Sequence, residues 1–265
     1  MTRHVSEAFA TAKAENRAAL IGYLPAGFPN PEQSVKLINA MVASGVDIIE
    51  VGLPYSDPLM DGPVIQQAVD QALAAGTTTD VVLNIVKQVV DAGAIAVVMS
   101  YWNPIERFGV EEFAAGLEAA GGSGVIAPDL TPEEAGDWSV ASDAHAIDRI
   151  LMVAPSSTDA RITAIVGVTS GFVYAASTMG VTGARTTVSS GAHELVARTR
   201  AVTSLPIAVG LGVSTGDQAA EIAAYADGVI VGSAFVRRVL DAASDEAAIE
   251  AVSDLAKELA AGVRR

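Results

Sequence analysis

Short apolar runs rich in Val and Ile recur about every 25 residues along this chain, and between them apolar residues return every three or four positions. The runs fall at 19–24, 47–51, 95–99, 124–128, 150–153, 172–176, 207–209 and 228–231. These short β-rich runs read as strands. The intervening stretches read as helices. Residues 31–43 carry Val35, Ile38 and Val42 on one helical face. Residues 79–92 have Asp80 near the start and Gly93 at the stop, and 63–75 open on a proline. Thr131-Pro132-Glu133-Glu134 reads as a cap, a first-turn proline and an acidic helix start. A further helix at 5–16 precedes the first strand and is placed to cover one end of the sheet.

Strands that alternate with helices predict a parallel sheet. Eight such units in 265 residues are the count and size of a (β/α)₈ TIM barrel with an extra N-terminal helix. An open doubly wound sheet is the alternative. No linker, low-complexity tract or compositional break interrupts the pattern, so the expectation is a single TIM-barrel domain over 1–265.

Composition narrows the functional classes. With 51% hydrophobic and 18% charged residues the chain can bury a large core. A net charge of −15 argues against nucleic acid and anionic membranes as partners, because both require a basic footprint. An anionic ligand would have to be held by local dipoles. There is no cysteine, hence no thiolate metal site and no thiol nucleophile. The charged N-terminal stretch lacks the apolar core of a secretory signal. The uncharged stretch 162–184 is interrupted by glycine, serine and threonine, and reads as strand, loop and turn rather than a membrane span. A cytoplasmic protein is expected.

In a barrel, chemistry gathers where strands end and the following loops begin. Polar and unusual residues do collect there. Tyr23 ends the first strand, and Glu50 lies inside the second with Asp61 in its loop. Met99 ends the third, Ser100-Tyr101-Trp102-Asn103-Pro104 follow it, and Asp129 follows the fourth. Tyr174 lies in the sixth, followed by Gly180-Val181-Thr182-Gly183. The seventh ends in Gly210-Leu211-Gly212-Val213-Ser214, and the eighth in Gly232-Ser233. The last two loops carry no Lys or Arg, which suits backbone N–H groups and a helix N-terminus holding a phosphate. The same glycines could serve only as tight turns.

The segment 47–63, DIIEVGLPYSDPLMDGP, holds the most chemistry. A carboxylate inside a buried strand is costly unless compensated, so Glu50 and Asp61 form a candidate proton-handling pair. Lys13, Lys36, Lys87 and Lys257 all fall in expected helices, which leaves no imine-forming lysine at a strand end, and His4, His145 and His193 are scattered. Blander readings stand beside these. Glu50 could be a structural acid paired with arginine or backbone amides. Asp61 could be a turn former or the cap of helix 63–75. Tyr101 and Trp102 could be rim packing, Asp129 a helix-start residue and Arg185 a solvated charge.

At these residues the chain resembles the tryptophan synthase α subunit family over nearly its whole length. The run Glu50-Val51-Gly52-Leu53-Pro54-Tyr55-Ser56-Asp57-Pro58-Leu59-Met60-Asp61-Gly62-Pro63 is similar to the family signature. Gly180-Val181-Thr182-Gly183-Ala184-Arg185 resembles its sixth loop, and Gly210-Leu211-Gly212-Val213-Ser214 with Val231-Gly232-Ser233-Ala234 resemble its phosphate loops. The resemblance implies a carbon–carbon lyase of tryptophan biosynthesis that cleaves indole-3-glycerol phosphate to indole and glyceraldehyde 3-phosphate. It implies Glu50 as general acid–base, Asp61 on the indole N–H, and Tyr174 as a positioning or relay group. Tyr23, Met99 and Leu211 would wall the indole, with Tyr101 and Thr182 as further substrate-binding residues. Backbone amides at Gly183, Gly212, Gly232 and Ser233 would hold the phosphate. It implies no metal and no cofactor in this chain, and a heterotetramer with a β subunit that carries pyridoxal phosphate. The β subunit would meet Pro54–Asp57, Asn103-Pro104 and the region of Asp129. The family often has Phe where Tyr23 and Leu211 stand, and Pro128 replaces a small residue; these exchanges alter the pocket's shape but remove no catalytic group. Another sugar-phosphate isomerase or lyase on the same barrel, or a non-catalytic phosphate-binding module, are the rival readings.

Overall fold

The computed structural model describes residues 4–176, 190–210 and 212–265. The strands are β1 (Ala19–Pro25), β2 (Ile48–Gly52), β3 (Ala96–Met99), β4 (Gly124–Ile126), β5 (Asp148–Ile150), β6 (Met152–Val153), β7 (Val173–Ala176), β8 (Ile207–Gly210) and β9 (Gly228–Val231). The helices are α1 (Val5–Ala14), α2 (Pro31–Ala43), α3 (Pro63–Ala74), α4 (Thr79–Asp91), α5 (Trp102–Phe108), α6 (Val110–Ala119), α7 (Gly136–Ala144), α8 (Asp159–Val168), α9 (Ser190–Arg200), α10 (Gly216–Ala223), α11 (Ser233–Leu240) and α12 (Asp245–Gly262).

All strand pairs are parallel, in the order β5-β4-β3-β2-β1-β9-β8-β7-β6. The two ends of that order, β5 and β6, are successive pieces of one segment separated only by Leu151. Ala127 N–H donates to Ile150 C=O at 3.3 Å on one side, and Tyr174 N–H donates to Leu151 C=O at 3.1 Å on the other. The sheet therefore closes on itself as an eight-stranded barrel, and the open-sheet alternative falls away.

Side chains alternate across each strand, which sorts the core into two layers. Ile21, Ile48, Val97, Ile126, Ile150 and Phe172 point inward and fill the barrel. Residues one position away, such as Leu20, Ile49, Val98 and Val125, point outward and pack under the helices. The N-terminal helix shares the inner layer. Val5, Ala8, Phe9 and Ala12 join the barrel cluster, and the Phe9 ring meets Phe172 at 5.4 Å. It plugs the end of the barrel at which the strands start, leaving the other end for chemistry. Its exit is tied down by Arg17, which donates to both Asp47 oxygens at 2.6 and 2.8 Å.

Two expectations are corrected. Thr131-Pro132-Glu133-Glu134 forms a turn, and the helix starts only at Gly136. The Thr131 hydroxyl donates to the Glu134 carboxylate at 2.8 Å instead of accepting a backbone N–H, and the buried Leu130 and Ala135 anchor the two ends of the turn. The stretch 162–184 starts as the body of α8 rather than as a strand, and reaches β7 only at Val173. No described helix is long and apolar enough to cross a membrane.

Candidate active site

The inner positions above the barrel's packed layers are where the strand pattern turns polar. On β2, Ile48 faces inward, so Glu50, two residues on, does too. On β1 the same parity places Tyr23 inward after Ile21, and on β7 it places Tyr174 inward after Phe172. Tyr23 and Glu50 are direct register partners across β1 and β2. Two glycines make room for the rings. A Cβ at Gly52 would stand 2.6 Å from the Tyr23 hydroxyl, and one at Gly210 would stand 2.2 Å from the Tyr174 hydroxyl. Each strand end therefore lacks a side chain where a phenol from another strand occupies the space.

Glu50, Asp61, Tyr23, Met99, Tyr174, Gly212, Gly232 and Ser233 line a single cavity at the ends of the strands, together with Ile65 and Ile230. Ile230 was absent from the expected set although its inward parity is readable on β9. Ile65 sits in the first turn of α3, just beyond Asp61, where nothing but position marks it. Thr182, Gly183 and Leu211 lie outside the described residues. Tyr101 stands behind Asp61 rather than on the cavity wall: its hydroxyl donates to Asp61 Oδ1 at 3.1 Å and accepts the Met60 N–H at 2.9 Å. Asp129 accepts the Trp102 N–H at 2.9 Å and so caps the start of α5. Trp102 packs edge-on against Trp138.

The acids differ in their surroundings. Glu50 is 1% exposed, and its Oε1 has no hydrogen-bond partner among the described residues. No arginine or backbone amide pairs with it there. Burial alone pushes its pKa up to about 8, so at neutral pH it is a protonated acid. Asp61 is also raised by burial, but the Tyr101 hydrogen bond stabilises its charged form and pulls the other way. One strand and its loop thus deliver two buried carboxyl groups, both raised by burial; Asp61 has a hydrogen-bond donor that favours its charged form, and Glu50 Oε1 has none among the described residues. Burial raises the Tyr23 and Tyr174 phenols well above the usual value. The neighbouring Asp61 and Glu50 carboxyls add to the effect on Tyr23, and Glu50 adds to it on Tyr174. Both phenols remain neutral hydroxyls.

The opposite wall is built of backbone. Gly212 sits just past β8 with φ +86°, a left-handed conformation that glycine accepts without strain. Gly232 caps α11, whose first turn begins at the buried Ser233. N–H groups at a helix start, with no acid in the first turn of α11, present a positive end to an anion. No cluster of three or more His, Asp or Glu among the described residues is arranged to hold a metal ion. A larger groove of about 840 Å³ opens at the floor beside α1, but there Arg17 is paired with Asp47 and Arg200 with Asp227. Unpaired buried acid is found only in the smaller cavity at the mouth, among the described residues.

Comparison with known proteins agrees with this architecture. Residues 9–264 match the family model described as tryptophan synthase alpha chain. The chain is 64% identical over 258 residues to the tryptophan synthase alpha chain of Thermobifida fusca, covering 96% of each. It is 59% identical to that of Acidothermus cellulolyticus, covering 98% of this chain and 97% of the relative. Among solved structures, a chain of Mycobacterium tuberculosis tryptophan synthase superposes with TM-score 0.94 at 52% identity, with both chains fully covered. The alpha subunit of Legionella pneumophila superposes with TM-score 0.88 at 33% identity, covering 98% of this chain and 97% of that one. With a family model spanning nearly the whole chain and relatives matched from end to end, this protein belongs to the tryptophan synthase alpha chain family.

Proposed function

We propose that the cavity at the barrel mouth is where this chain cleaves indole-3-glycerol phosphate to indole and glyceraldehyde 3-phosphate, a lyase reaction of tryptophan biosynthesis. Glu50 acts as general acid and then as general base. In its protonated form it gives a proton to indole C3, which leaves a positive charge spread onto the ring nitrogen. Asp61, acting as a carboxylate that also accepts the Tyr101 hydroxyl, accepts the ring N–H and stabilises that charge. The bond between C3 and the hydroxyl-bearing chain carbon then breaks, and its electrons return to the ring. The Glu50 carboxylate takes the hydroxyl proton, and the chain carbon becomes the aldehyde. One proton enters at carbon and one leaves from oxygen, so Glu50 ends as it began. The indole ring is its own electron sink, and neither an imine nor a metal is required. The four lysines lie on α1, α2, α4 and α12, away from the strand ends.

Tyr23 and Met99 wall the indole, Tyr174 positions the reacting groups, and the N–H groups of Gly212, Gly232 and Ser233 hold the phosphate. Thr182, Gly183 and Leu211 complete these sets from outside the described residues. The observation that carries the reading is Glu50: a fully buried, unpartnered acid in one cavity with a second acid and an anion-binding backbone. A purely structural acid would be paired.

The chain works with a tryptophan synthase β subunit in an αββα tetramer, and pyridoxal phosphate belongs to that partner. Indole is small and apolar, so passing it directly between subunits prevents its loss. The surface offered to the β subunit is an open groove of about 550 Å³ lined by Pro54, Tyr55, Ser56, Asp57, Asn103 and Pro104. Leu59, 75% exposed on the same loop, adds an apolar contact. The setting is cytoplasmic. The test is indole release from indole-3-glycerol phosphate, with and without the β subunit. Glu50→Gln is expected to lose at least about 10²-fold in kcat while a substrate-like phosphate ligand still binds. Near-normal turnover in that variant would overturn the assignment.

A further inference from the structure

Once Glu50 has given up its proton, a carboxylate exists in a cavity that offers it no cation. No Lys, Arg or His lines the site among the described residues. An isolated buried carboxylate is costly, so the reaction needs a neutral donor beside it. The titratable groups that share this space are Tyr23 from β1, Tyr174 from β7, and Asp61 with its Tyr101 from the loops after β2 and β3. Asp61 is an acceptor. Tyr101 is committed, donating to Asp61. The Tyr174 hydroxyl stands over Gly210, on the β8 side.

Tyr23 is differently placed. It is the direct register partner of Glu50 on the neighbouring strand, and both side chains face inward. Its ring runs from Gly232, whose Cβ position would lie 3.6 Å from Tyr23 Cβ, to Gly52, whose Cβ position would lie 2.6 Å from the hydroxyl. Gly52 is two residues beyond Glu50 on the same face of β2, so the hydroxyl lies immediately toward the mouth from Glu50. Glu50 Oε1 is buried without a hydrogen-bond partner among the described residues. Tyr23 and the partnerless Glu50 Oε1 line one cavity, and glycine at 52 is what lets the phenol reach toward it.

We propose that Tyr23 is a positioning residue for the two proton transfers: its hydroxyl donates a hydrogen bond to the Glu50 carboxylate formed after the first transfer and holds it toward the mouth for the second. The phenol keeps its own proton throughout, so the proton balance of the cleavage is unchanged. The inference rests on Glu50 as the acid–base group proposed above. A phenylalanine at 23 would wall the cavity equally well and provide no donor.

The test is Tyr23→Phe in the complete chain, assayed for indole release with the β subunit present. Loss of a hydrogen bond to a charged group is expected to lower kcat about 10- to 100-fold with KM within about twofold. Activity begins from protonated Glu50, so the kcat profile falls on the alkaline side. Without the donor the carboxylate is harder to form, and that alkaline limb moves to higher pH. Replacing Tyr23 by a fluorinated tyrosine keeps the shape and strengthens the donor, so the limb should move to lower pH, which tests the proposal even if Tyr23→Phe folds poorly. An unchanged kcat and an unmoved limb would overturn it, as would a rise in KM alone, which would make the hydroxyl a simple substrate contact. Turnover by Glu50→Gln would instead refute the underlying acid–base reading, whatever Tyr23→Phe does.

Discussion

Replacing Glu50 by Gln should stabilise the fold, and the gain should grow with pH. The side chain is fully buried, and burial pushes its pKa from 4.5 to about 8. Between those values the unfolded chain has released the Glu50 proton while the folded chain still holds it. Stability is therefore fully present below about pH 4.5 and is lost as pH rises through about 8. Gln does not titrate, so the variant escapes this loss. The difference between the two proteins should widen by on the order of 3 kcal/mol by pH 7 and level off near about 5 kcal/mol above pH 8. For a chain of this size each kcal/mol moves the melting temperature by roughly 2 °C, so the pH 7 effect is about 6 °C. The assay is thermal unfolding of both proteins from pH 5 to pH 9. A constant offset between the curves reports packing alone; the widening reports Glu50. Parallel curves, or a wild type that gains on the variant as pH rises, would refute the claim that this acid is held uncharged by burial. The expected outcome is a protein that trades stability for a proton donor.

Other consequences follow from the same geometry. Tyr101→Phe removes the donor that favours the charged form of Asp61, so Asp61 should titrate higher still. The acid side of the kcat/KM profile should move to higher pH, with activity at pH 7 lowered about 10-fold; an unmoved acid limb would break the link between Tyr101 and Asp61. Phe9→Ala empties the plug at the barrel floor and should cost about 3–5 kcal/mol in urea unfolding, while kcat of the folded enzyme stays within about twofold, because the site is at the other end.

Much of the fold is legible in the chain because strand and helix signals agree. The bounds expected for α2, 31–43, hold, but its buried face centres on Leu37, Ile38 and Met41, with Val35 and Val42 only partly buried; Asn30, absent from the expected set, caps it by accepting the Gln33 N–H at 2.9 Å. All eight apolar runs become barrel strands, since continuous Val and Ile suit a sheet buried on both faces. The fifth run divides into two pieces because Leu151 lies where the barrel passes from one partner strand to the other. The Thr131 turn was not legible: its residues are those of a helix start, and a side-chain contact between Thr131 and Glu134 decides otherwise. The candidate site was readable as a set of residues at strand ends, since parity and the βα order bring Tyr23, Glu50, Asp61 and Tyr174 to one cavity. What could not be read was who pairs with whom. That Tyr101 serves Asp61, and that nothing among the described residues pairs with Glu50 Oε1, depends on distances between segments far apart in sequence.

The account turns on Glu50 being a neutral acid at working pH. Difference infrared spectroscopy of the wild type against Glu50→Gln reads this directly, through the carbonyl band of a protonated carboxylic acid. The band should be present at pH 7, fade with a midpoint near about 8, and be missing from the variant. A band that has already vanished by pH 6, with a midpoint close to the ordinary glutamate value, would contradict the account.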